Sequence, residues 1–178
     1  MPKSIMNHYS NEINRCLKAV AGEVALLLQS VRYVIENDKQ VFVIGNGGSL
    51  TTAEHFVEDL KNRYKKVYTF DSIPLLTALA NDFGYDTVFR KQLEGMINKG
   101  DILIALTVSG KSRNIIQAVR HAEEVGASIV VLTGQDGGAL ANRVCIQIPS
   151  LSYGIVECCH LCILHYISDE IGGGRCLS

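Results

Sequence analysis

The sequence predicts an α/β fold in which a parallel sheet is covered by helices on both faces. Three short apolar runs, at residues 41–44, 102–106 and 128–132, are each followed by a polar turn and then by a helical segment. Apolar runs without alternation are typical of strands that are buried on both faces. Strands that alternate with helices are joined by right-handed crossovers, and this order predicts parallel pairing.

Length and charge limit the classes of protein to which the chain can belong. With 178 residues, of which 47% are hydrophobic, it can bury about 70% of its unfolded surface in one domain. A formal net charge of −1 offers no electrostatic reason to expect nucleic acid or an anionic membrane as a partner. The sequence has neither an apolar run long enough to span a bilayer nor the apolar segment of a signal peptide. We therefore expect a cytoplasmic protein.

We expect a single domain over residues 1–178, with three parts. Residues 1–40 have helical apolar spacing, and Gly22 is the predicted break between two helices. So much apolar helical surface before the first strand needs a cover, and another subunit of a homo-oligomer can supply it. Residues 41–171 contain the sheet and its helices, and residues 172–178 form a loose, Gly-rich tail.

A glycine-rich turn follows the first strand and is the strongest local signal in the chain. Gly45 ends the apolar run, and Asn46, Gly47, Gly48 and Ser49 precede a segment with helical apolar spacing. Glycine lets a ligand approach the backbone closely, and the start of a helix presents free N–H groups together with the positive end of its dipole. The turn therefore predicts a site for a phosphate or another anion.

The helix after this turn carries His55 and Asp59, which lie four residues apart and therefore on one face. An imidazole and a carboxylate in this arrangement can hold a metal ion or share a proton. The alternative is an ordinary solvated pair, because such pairs are common on helix surfaces.

The middle of the chain predicts a further strand, a loop and a helix. Residues 73–79 are apolar and predict a second short strand. Residues 81–85, which include Asn81 and Asp82, predict a loop that either binds a ligand or only connects two elements. Residues 87–97 then predict an amphipathic helix that ends before Gly100.

A hydroxyl-rich turn, residues 107–112, follows the strand at 102–106 and precedes a helix at 113–125 that Gly126 ends. Thr107, Ser109 and Ser112 with backbone N–H groups can surround phosphate oxygens, whereas an ordinary helix cap explains only one of these hydroxyls. The remaining elements are predicted as the strand at 128–132, a short helix at 139–142, a strand at 144–148 and a final helix at about 154–171.

The final helix carries Glu157, His160 and His165, together with the cysteines Cys158, Cys159 and Cys162. A cluster of this kind can suggest zinc, but no second Cys/His pair occurs at zinc-finger spacing. Free cysteines are usually buried, and these three alternate with apolar residues. We interpret them as small core residues and not as metal ligands.

Six motifs in order resemble those of the SIS (sugar isomerase) domain family and, within it, of the sedoheptulose 7-phosphate isomerases. The resemblance extends over nearly the whole chain and rests on residues 45–49, 53–56, 81–84, 109–112, 132–138 and 160–165. It implies a Rossmann-like, three-layer αβα domain with five parallel strands, a homotetramer with active sites at subunit boundaries, and a bound zinc. It also implies conversion of sedoheptulose 7-phosphate to a seven-carbon aldose phosphate, in a route to activated heptose.

The resemblance also implies roles for residues at matching positions. Asp59, Glu157 and His165 are the implied catalytic residues. The implied zinc ligands are His55, Asp59, Glu157 and His165. The implied substrate-binding residues are Asn46, Gly47, Gly48, Ser49, Asp59, Asn81, Asp82, Thr107, Val108, Ser109, Ser112 and Glu157. Because Glu157 and His165 are eight residues apart, they reach one metal ion only through long side chains or from different subunits.

The sequence departs from the family pattern at three points. Asp59 stands where the family usually has Glu, Glu157 stands where it has Gln, and the bend at 149–157 is one residue shorter. We hypothesise that Glu157 takes over part of the base role, since Asp59 is one methylene shorter than Glu. Two alternatives stay open: a SIS module that binds a sugar phosphate or a protein partner without turnover, and an isomerase for another sugar phosphate.

Overall fold

In the computed structural model, the backbone is described for residues 2–143 and 145–172, and the side chains for residues 5–143 and 146–172. The described chain contains seven α-helices, five strands, and 3-10 turns at Tyr85–Thr87 and Gly138–Leu140. The helices are α1 Pro2–Ala19, α2 Ala21–Glu36, α3 Gly48–Lys61, α4 Ile73–Phe83, α5 Val88–Leu93, α6 Arg113–Val125 and α7 Tyr153–Gly172. The strands are β1 Val41–Gly45, β2 Val67–Tyr68, β3 Ile102–Thr107, β4 Ser128–Thr133 and β5 Cys145–Gln147.

All five strands pair in parallel, in the order β2-β1-β3-β4-β5. The order reverses between β1 and β3, which pair with Gly45 opposite Leu106 at their carboxyl ends. In open α/β sheets, ligands bind outside the carboxyl ends of the strands at such a reversal. Both turns that the sequence predicts as anion sites leave the sheet at this point.

The two faces of the sheet are covered by separate apolar clusters. Val41 and Val43 of β1 pack in the cluster that includes residues of α1, α2, α3 and α7, whereas Phe42 and Ile44 pack in the cluster with α5 and α6. Successive side chains of a strand point to opposite faces, so a strand buried on both sides is apolar at every position. The three-layer αβα fold predicted from the sequence is confirmed.

The structure corrects several predicted element boundaries. Residues 73–79 are helical and belong to α4, and the second strand is Val67–Tyr68. Pro74 is tolerated near the start of α4, where the backbone N–H that proline lacks has no partner within the helix. The break between α1 and α2 lies at Val20, and Gly22 is within α2. Asn81 and Asp82 belong to the last turn of α4, so the loop predicted at 81–85 is wrong for these residues.

Other predicted elements are shorter than the sequence indicated. The helix predicted at 87–97 is a 3-10 turn followed by the short α5, and the one predicted at 139–142 is the 3-10 turn Gly138–Leu140. The last strand covers three residues, Cys145–Gln147, and the predicted residue Val144 lies outside the described residues. Of the predicted tail, Gly172 is the last residue of α7, and 173–178 lie outside the described residues.

Helix α4 is unusual because it is apolar and yet has no buried residue. Ile73, Leu75 and Phe83 expose 71%, 47% and 54% of their surface. Exposed apolar patches of this kind on a soluble domain mark interaction sites. None of the described helices is long and apolar enough to cross a membrane.

Candidate active site

The turn after β1 places the start of α3 at the carboxyl edge of the sheet. Gly47 precedes the helix with φ of 55°, a left-handed conformation that residues with a Cβ rarely adopt. The turn is closed by backbone hydrogen bonds from Ser49 to Asn46 and from Leu50 to Gly47. The first N–H groups of α3 are thereby directed towards one point, as anion binding at a helix start requires.

The turn after β3 is held in place by the loop that follows β4. Gly110 has φ of 62°, and a Cβ atom at this position would lie 2.0 Å from the carbonyl oxygen of Gly137. Backbone hydrogen bonds from Gly134 to Val108 and from Ala139 to Gly110 join the two segments. The glycine motif at 132–138 thus packs against the backbone of the hydroxyl-rich turn and fixes its position.

Both turns open into one cavity of about 150 Å³ at the point where the strand order reverses. The structure thus brings together residues of the two predicted anion turns and Glu157 of α7. Its walls also include Tyr153, which the sequence reasoning missed although it lies four residues before Glu157, on the same face of α7. The cavity is lined by Asn46, Ser49, Leu106, Thr107, Val108, Ser109, Ser112, Tyr153 and Glu157.

A pair of side-chain amides ties the two turns together. Asn46 and Asn114 each donate a hydrogen bond to the side-chain oxygen of the other, at 3.0 and 2.8 Å, and the hydroxyl of Tyr85 donates to Asn46 at 2.8 Å. The sequence reasoning missed Asn114 and Tyr85. An asparagine in the first turn of a helix is a weak signal, because it usually indicates only local capping.

His55, Asp59 and His165 come together where α3 packs on α7. Their ligand atoms all lie within 4.8 Å of one another. The two Nε2 atoms are 3.3 Å apart, and Nε2 of His55 lies 3.8 Å from Oδ1 of Asp59. Ser168 contacts the other carboxylate oxygen of Asp59 at 3.3 Å, which orients the carboxylate.

These three side chains suit a zinc ion in both type and spacing. Zinc binds imidazole nitrogen and carboxylate oxygen at about 2.0–2.2 Å, so neighbouring ligands of a tetrahedral ion lie about 3.3–3.5 Å apart. The distance between the two Nε2 atoms falls in this range, and the carboxylate oxygen is slightly farther away. Three protein ligands leave a fourth position open, as in catalytic zinc sites.

The other residues with implied roles lie apart from this group. Glu157 lines the cavity, where its Oε1 atom would lie 3.3 Å from a Cβ atom at Gly48, and it is not among the three grouped side chains. Asn81 and Asp82 are exposed at the end of α4, where the amide of Asn81 donates to the carboxylate of Asp82. They do not line the cavity.

Of the three α7 cysteines, only Cys159 is buried as the core interpretation requires. Cys159 is fully buried, Cys158 is partly buried and Cys162 is exposed. Burial raises the pKa of the Cys159 thiol to about 12, which disfavours the thiolate that zinc binds. Cys162 departs from the interpretation because it lies on the surface.

Comparison with known proteins identifies the family. The model of the SIS domain matches residues 8–134. The chain belongs to the SIS-domain family. Phosphoheptose isomerases from Campylobacter concisus and Akkermansia muciniphila are 34% and 33% identical to it, over 84% and 90% of this chain and 84% and 92% of theirs. This SIS-domain chain is thus a member of the phosphoheptose isomerase group, and the enzyme class expected from the sequence, an aldose–ketose isomerase, is confirmed.

Solved structures support the same grouping for this SIS-domain chain. Phosphoheptose isomerase GmhA from Neisseria gonorrhoeae superposes with a TM-score of 0.90 at 27% identity, covering 97% of this chain and 98% of that one. A phosphoheptose isomerase from Francisella tularensis gives a TM-score of 0.88 at 28% identity, with 96% of both chains covered. A more distant structure, that of the Vibrio vulnificus NanR protein at 16% identity and a TM-score of 0.63, shares the fold alone.

Proposed function

We propose that this SIS-domain protein interconverts sedoheptulose 7-phosphate and D-glycero-D-manno-heptose 7-phosphate. The observation that carries the proposal is the group of His55, Asp59 and His165, whose ligand atoms all lie within 4.8 Å of one another. Helix α3, which leads from the anion turn, supplies one imidazole and the carboxylate, and α7 supplies the second imidazole. Together they provide acid–base and metal-binding chemistry. Relatives named phosphoheptose isomerase supply the substrate class.

The cavity between the two turns is proposed to hold the phosphate. Thr107, Ser109 and Ser112 contribute hydroxyl groups, and the start of α3 contributes backbone N–H groups and a favourable dipole. Gly47 and Gly48 allow the backbone to approach the phosphate oxygens closely. Asn81 and Asp82, which lie outside this cavity, are proposed to contact the sugar from a neighbouring subunit.

The sugar then extends from the cavity towards the histidines. Glu157 and His165 are eight residues apart on α7, which corresponds to about 12 Å along the helix axis. A substrate that reaches from one to the other must be extended, and a seven-carbon sugar phosphate meets this requirement better than a short one. The reacting carbons are proposed to lie at the end remote from the phosphate.

Aldose–ketose isomerisation moves one proton between adjacent carbons through an enediol. We assign the carbon proton to a carboxylate and the oxygen proton to His165. Asp59 is grouped with His165 at the reacting end, and Glu157, which lines the phosphate cavity, shares the base role only after a rearrangement towards that end. His55, Asp59 and His165 are the residues that would hold zinc, with Glu157 approaching only after a rearrangement. When bound, zinc would stabilise negative charge on a sugar oxygen as a Lewis acid.

A homotetramer is proposed as the working form. Helix α4 carries Asn81 and Asp82 and is apolar without a buried residue, so burial against another subunit would stabilise it and bring these residues to a site. The N-terminal helices α1 and α2 also expose apolar side chains, which include Ile5, Met6 and Leu26. Sedimentation velocity should give four times the 19.5 kDa chain mass, and a monomer at micromolar concentration would contradict the proposal.

Turnover is tested by incubating the protein with sedoheptulose 7-phosphate and following aldose formation by NMR. The reaction should proceed with the protein as purified, and a parallel reaction with a chelator shows whether the metal is needed. If no aldose forms in either reaction, the isomerase proposal is wrong. Binding of the sugar phosphate without conversion would then indicate a regulatory module.

A further inference from the structure

The amide pair of Asn46, which is half-buried, and Asn114, which is buried, joins the two turns of the cavity. Asn46 follows β1, and Asn114 is in the first turn of α6, after the hydroxyl-rich turn. Asn114 is only 2% exposed, so its polar atoms must find partners within the protein. A closed pair of amides meets this need and fixes the distance between the turns.

The backbone N–H of Ile115 determines the orientation of this pair. It donates a hydrogen bond to Oδ1 of Asn114 at 2.9 Å. A backbone N–H can only donate, so the atom that it meets must be the oxygen and not the amide nitrogen. The nitrogen of Asn114 therefore faces Oδ1 of Asn46, and the nitrogen of Asn46 faces Asn114.

Tyr85 completes the coordination of the Asn46 oxygen. Its hydroxyl lies 2.8 Å from Oδ1 of Asn46 and must act as the donor, because this oxygen has no hydrogen. Both lone pairs of the oxygen are then occupied, one by Asn114 and one by Tyr85. The amide nitrogen of Asn46 uses one of its two N–H groups for Asn114, and the other has no partner among the described side chains, so it is available to a ligand.

We propose that Asn114 and Tyr85 are positioning residues that make Asn46 a hydrogen-bond donor towards the phosphate of the substrate. This inference rests on the proposed function in taking the cavity as the phosphate site. Phosphate oxygens without protons only accept hydrogen bonds, so an asparagine that rotated its oxygen into the cavity would repel them. The network prevents this rotation, and a donor fixed before binding requires no reorganisation when the anion enters.

A second contact holds the segment that carries Tyr85. Asp86, the next residue, pairs with Arg113 at 3.1 Å, and Arg113 precedes Asn114 in the first turn of α6. Both partners are well exposed, so the ion pair adds little stability by itself. It does place the 3-10 turn against α6. Because this turn directly follows α4, Tyr85 links the uncovered helix to the phosphate cavity.

The first test removes only the hydroxyl of Tyr85. The residue is 54% exposed, so Tyr85→Phe should fold normally. We expect the Kd for inorganic phosphate, measured by calorimetry, and the KM for sedoheptulose 7-phosphate to rise about three- to tenfold. The kcat should stay within about twofold of wild type. Tyr33→Phe, at an exposed tyrosine of α2, is the matched control and should change none of these values.

The second test uses Asn114→Asp and the pH. A carboxylate has no N–H and cannot donate to Asn46, but a protonated carboxyl group provides both an O–H and a carbonyl oxygen, like the amide. We expect the ratio of the phosphate Kd of the variant to that of wild type to fall towards one as the pH is lowered from 8 to 5. Circular dichroism at each pH checks that the variant is folded. A purely structural role would leave the ratio constant.

A double variant tests whether the two residues act through the same group. If both act through Asn46, the rise in phosphate Kd for Tyr85→Phe with Asn114→Asp should be smaller than the product of the two single effects. Wild-type phosphate affinity in Tyr85→Phe would overturn the proposal. Phosphate binding needs no turnover, so the two proposals can fail separately. If the protein shows these effects on phosphate binding but does not convert the heptose phosphate, the isomerase proposal is wrong and the positioning proposal stands.

Discussion

The Nε2 atoms of His55 and His165 lie 3.3 Å apart, although 110 positions separate the residues along the chain. Their rings meet edge to face, with centroids 4.7 Å apart and planes at 69°. Two imidazole nitrogens at this distance need either a shared proton or a cation between them, because two lone pairs repel each other. The packing of α3 on α7 therefore brings two imidazole nitrogens to the spacing that two ligands of one metal ion have.

Removing one of these imidazoles should abolish tight zinc binding. We expect wild-type protein to bind one zinc ion per chain and His55→Ala to lose more than about 100-fold in affinity, because a direct ligand contributes more than the groups around it. After chelation and reloading, elemental analysis measures the number of zinc ions per chain and calorimetry measures the zinc affinity. His8→Ala, at an exposed histidine of α1, should bind zinc like wild type. Equal affinity in both variants would exclude this group as the metal site.

Replacing the carboxylate of Glu157 tests its proposed share of the base role. Glu157→Gln keeps the size and the hydrogen-bonding capacity of the side chain but removes its basicity. We expect kcat to fall by about 100-fold or more, with a smaller change in KM, as measured by NMR progress curves. Turnover equal to wild type would reject the role of Glu157.

Gly48 limits the position of Glu157, so a methyl group at Gly48 should affect catalysis more than stability. A Cβ atom there would lie 3.3 Å from Oε1 of Glu157, which must then move by a few tenths of an ångström. Because Gly48 begins α3, alanine also favours the helix, and we expect the unfolding free energy to change by less than about 1 kcal/mol. We expect kcat to fall several-fold in steady-state kinetics.

Gly22→Ala is the control for this effect. A Cβ atom at Gly22, within α2, would have no described atom within 4 Å apart from its chain neighbours and the nearby backbone of its own helix. It should raise the unfolding free energy by up to about 1 kcal/mol through helix propensity alone and leave kcat unchanged. If both glycine variants have wild-type kcat, then Gly48 does not position the carboxylate.

The buried histidine of α7 should make the protein sensitive to mild acid. Burial lowers the pKa of His160 to about 4, from an ordinary value of 6.5. Between these values the unfolded chain binds a proton that the folded chain does not, so stability falls as the pH is lowered from about 6.5 to 4. The loss from this group approaches about 3 kcal/mol at the lower limit.

Urea unfolding at pH 7 and pH 5 measures this loss. His160→Gln removes the titrating group, so its unfolding free energy should fall less between the two values than that of wild type. The same fall in both proteins would show that other groups account for the acid sensitivity.

Much of the fold could be predicted from local patterns. The apolar runs at 41–44, 102–106 and 128–132 are strands β1, β3 and β4, because strands buried on both faces leave an uninterrupted apolar signal. Gly126 ends α6 in the left-handed conformation, with its N–H bonded to the carbonyl groups of Ala122 and Glu123. Such signals are local, so the sequence carries them directly.

Helix α4 and the edge strand β2 could not be predicted correctly, because their local sequence patterns are short and ambiguous. Residues 73–79 form part of α4, although their apolar run resembles a strand, since a short run does not distinguish a strand from a helix. The true edge strand, Val67–Tyr68, has only two residues and a weak apolar pattern. Its pairing with β1 is a long-range contact that no local signal reports.

By itself the sequence determined the α/β class, the two turns at strand ends and the residue types available for chemistry. The tertiary structure alone decided which of them meet. It grouped His55 and Asp59 with His165, left Glu157 beside Gly48, and joined Asn46 to Asn114 and Tyr85. These contacts depend on the order of the parallel strands and on how α7 packs against α3. Both are set by the burial of whole apolar faces and not by any short motif.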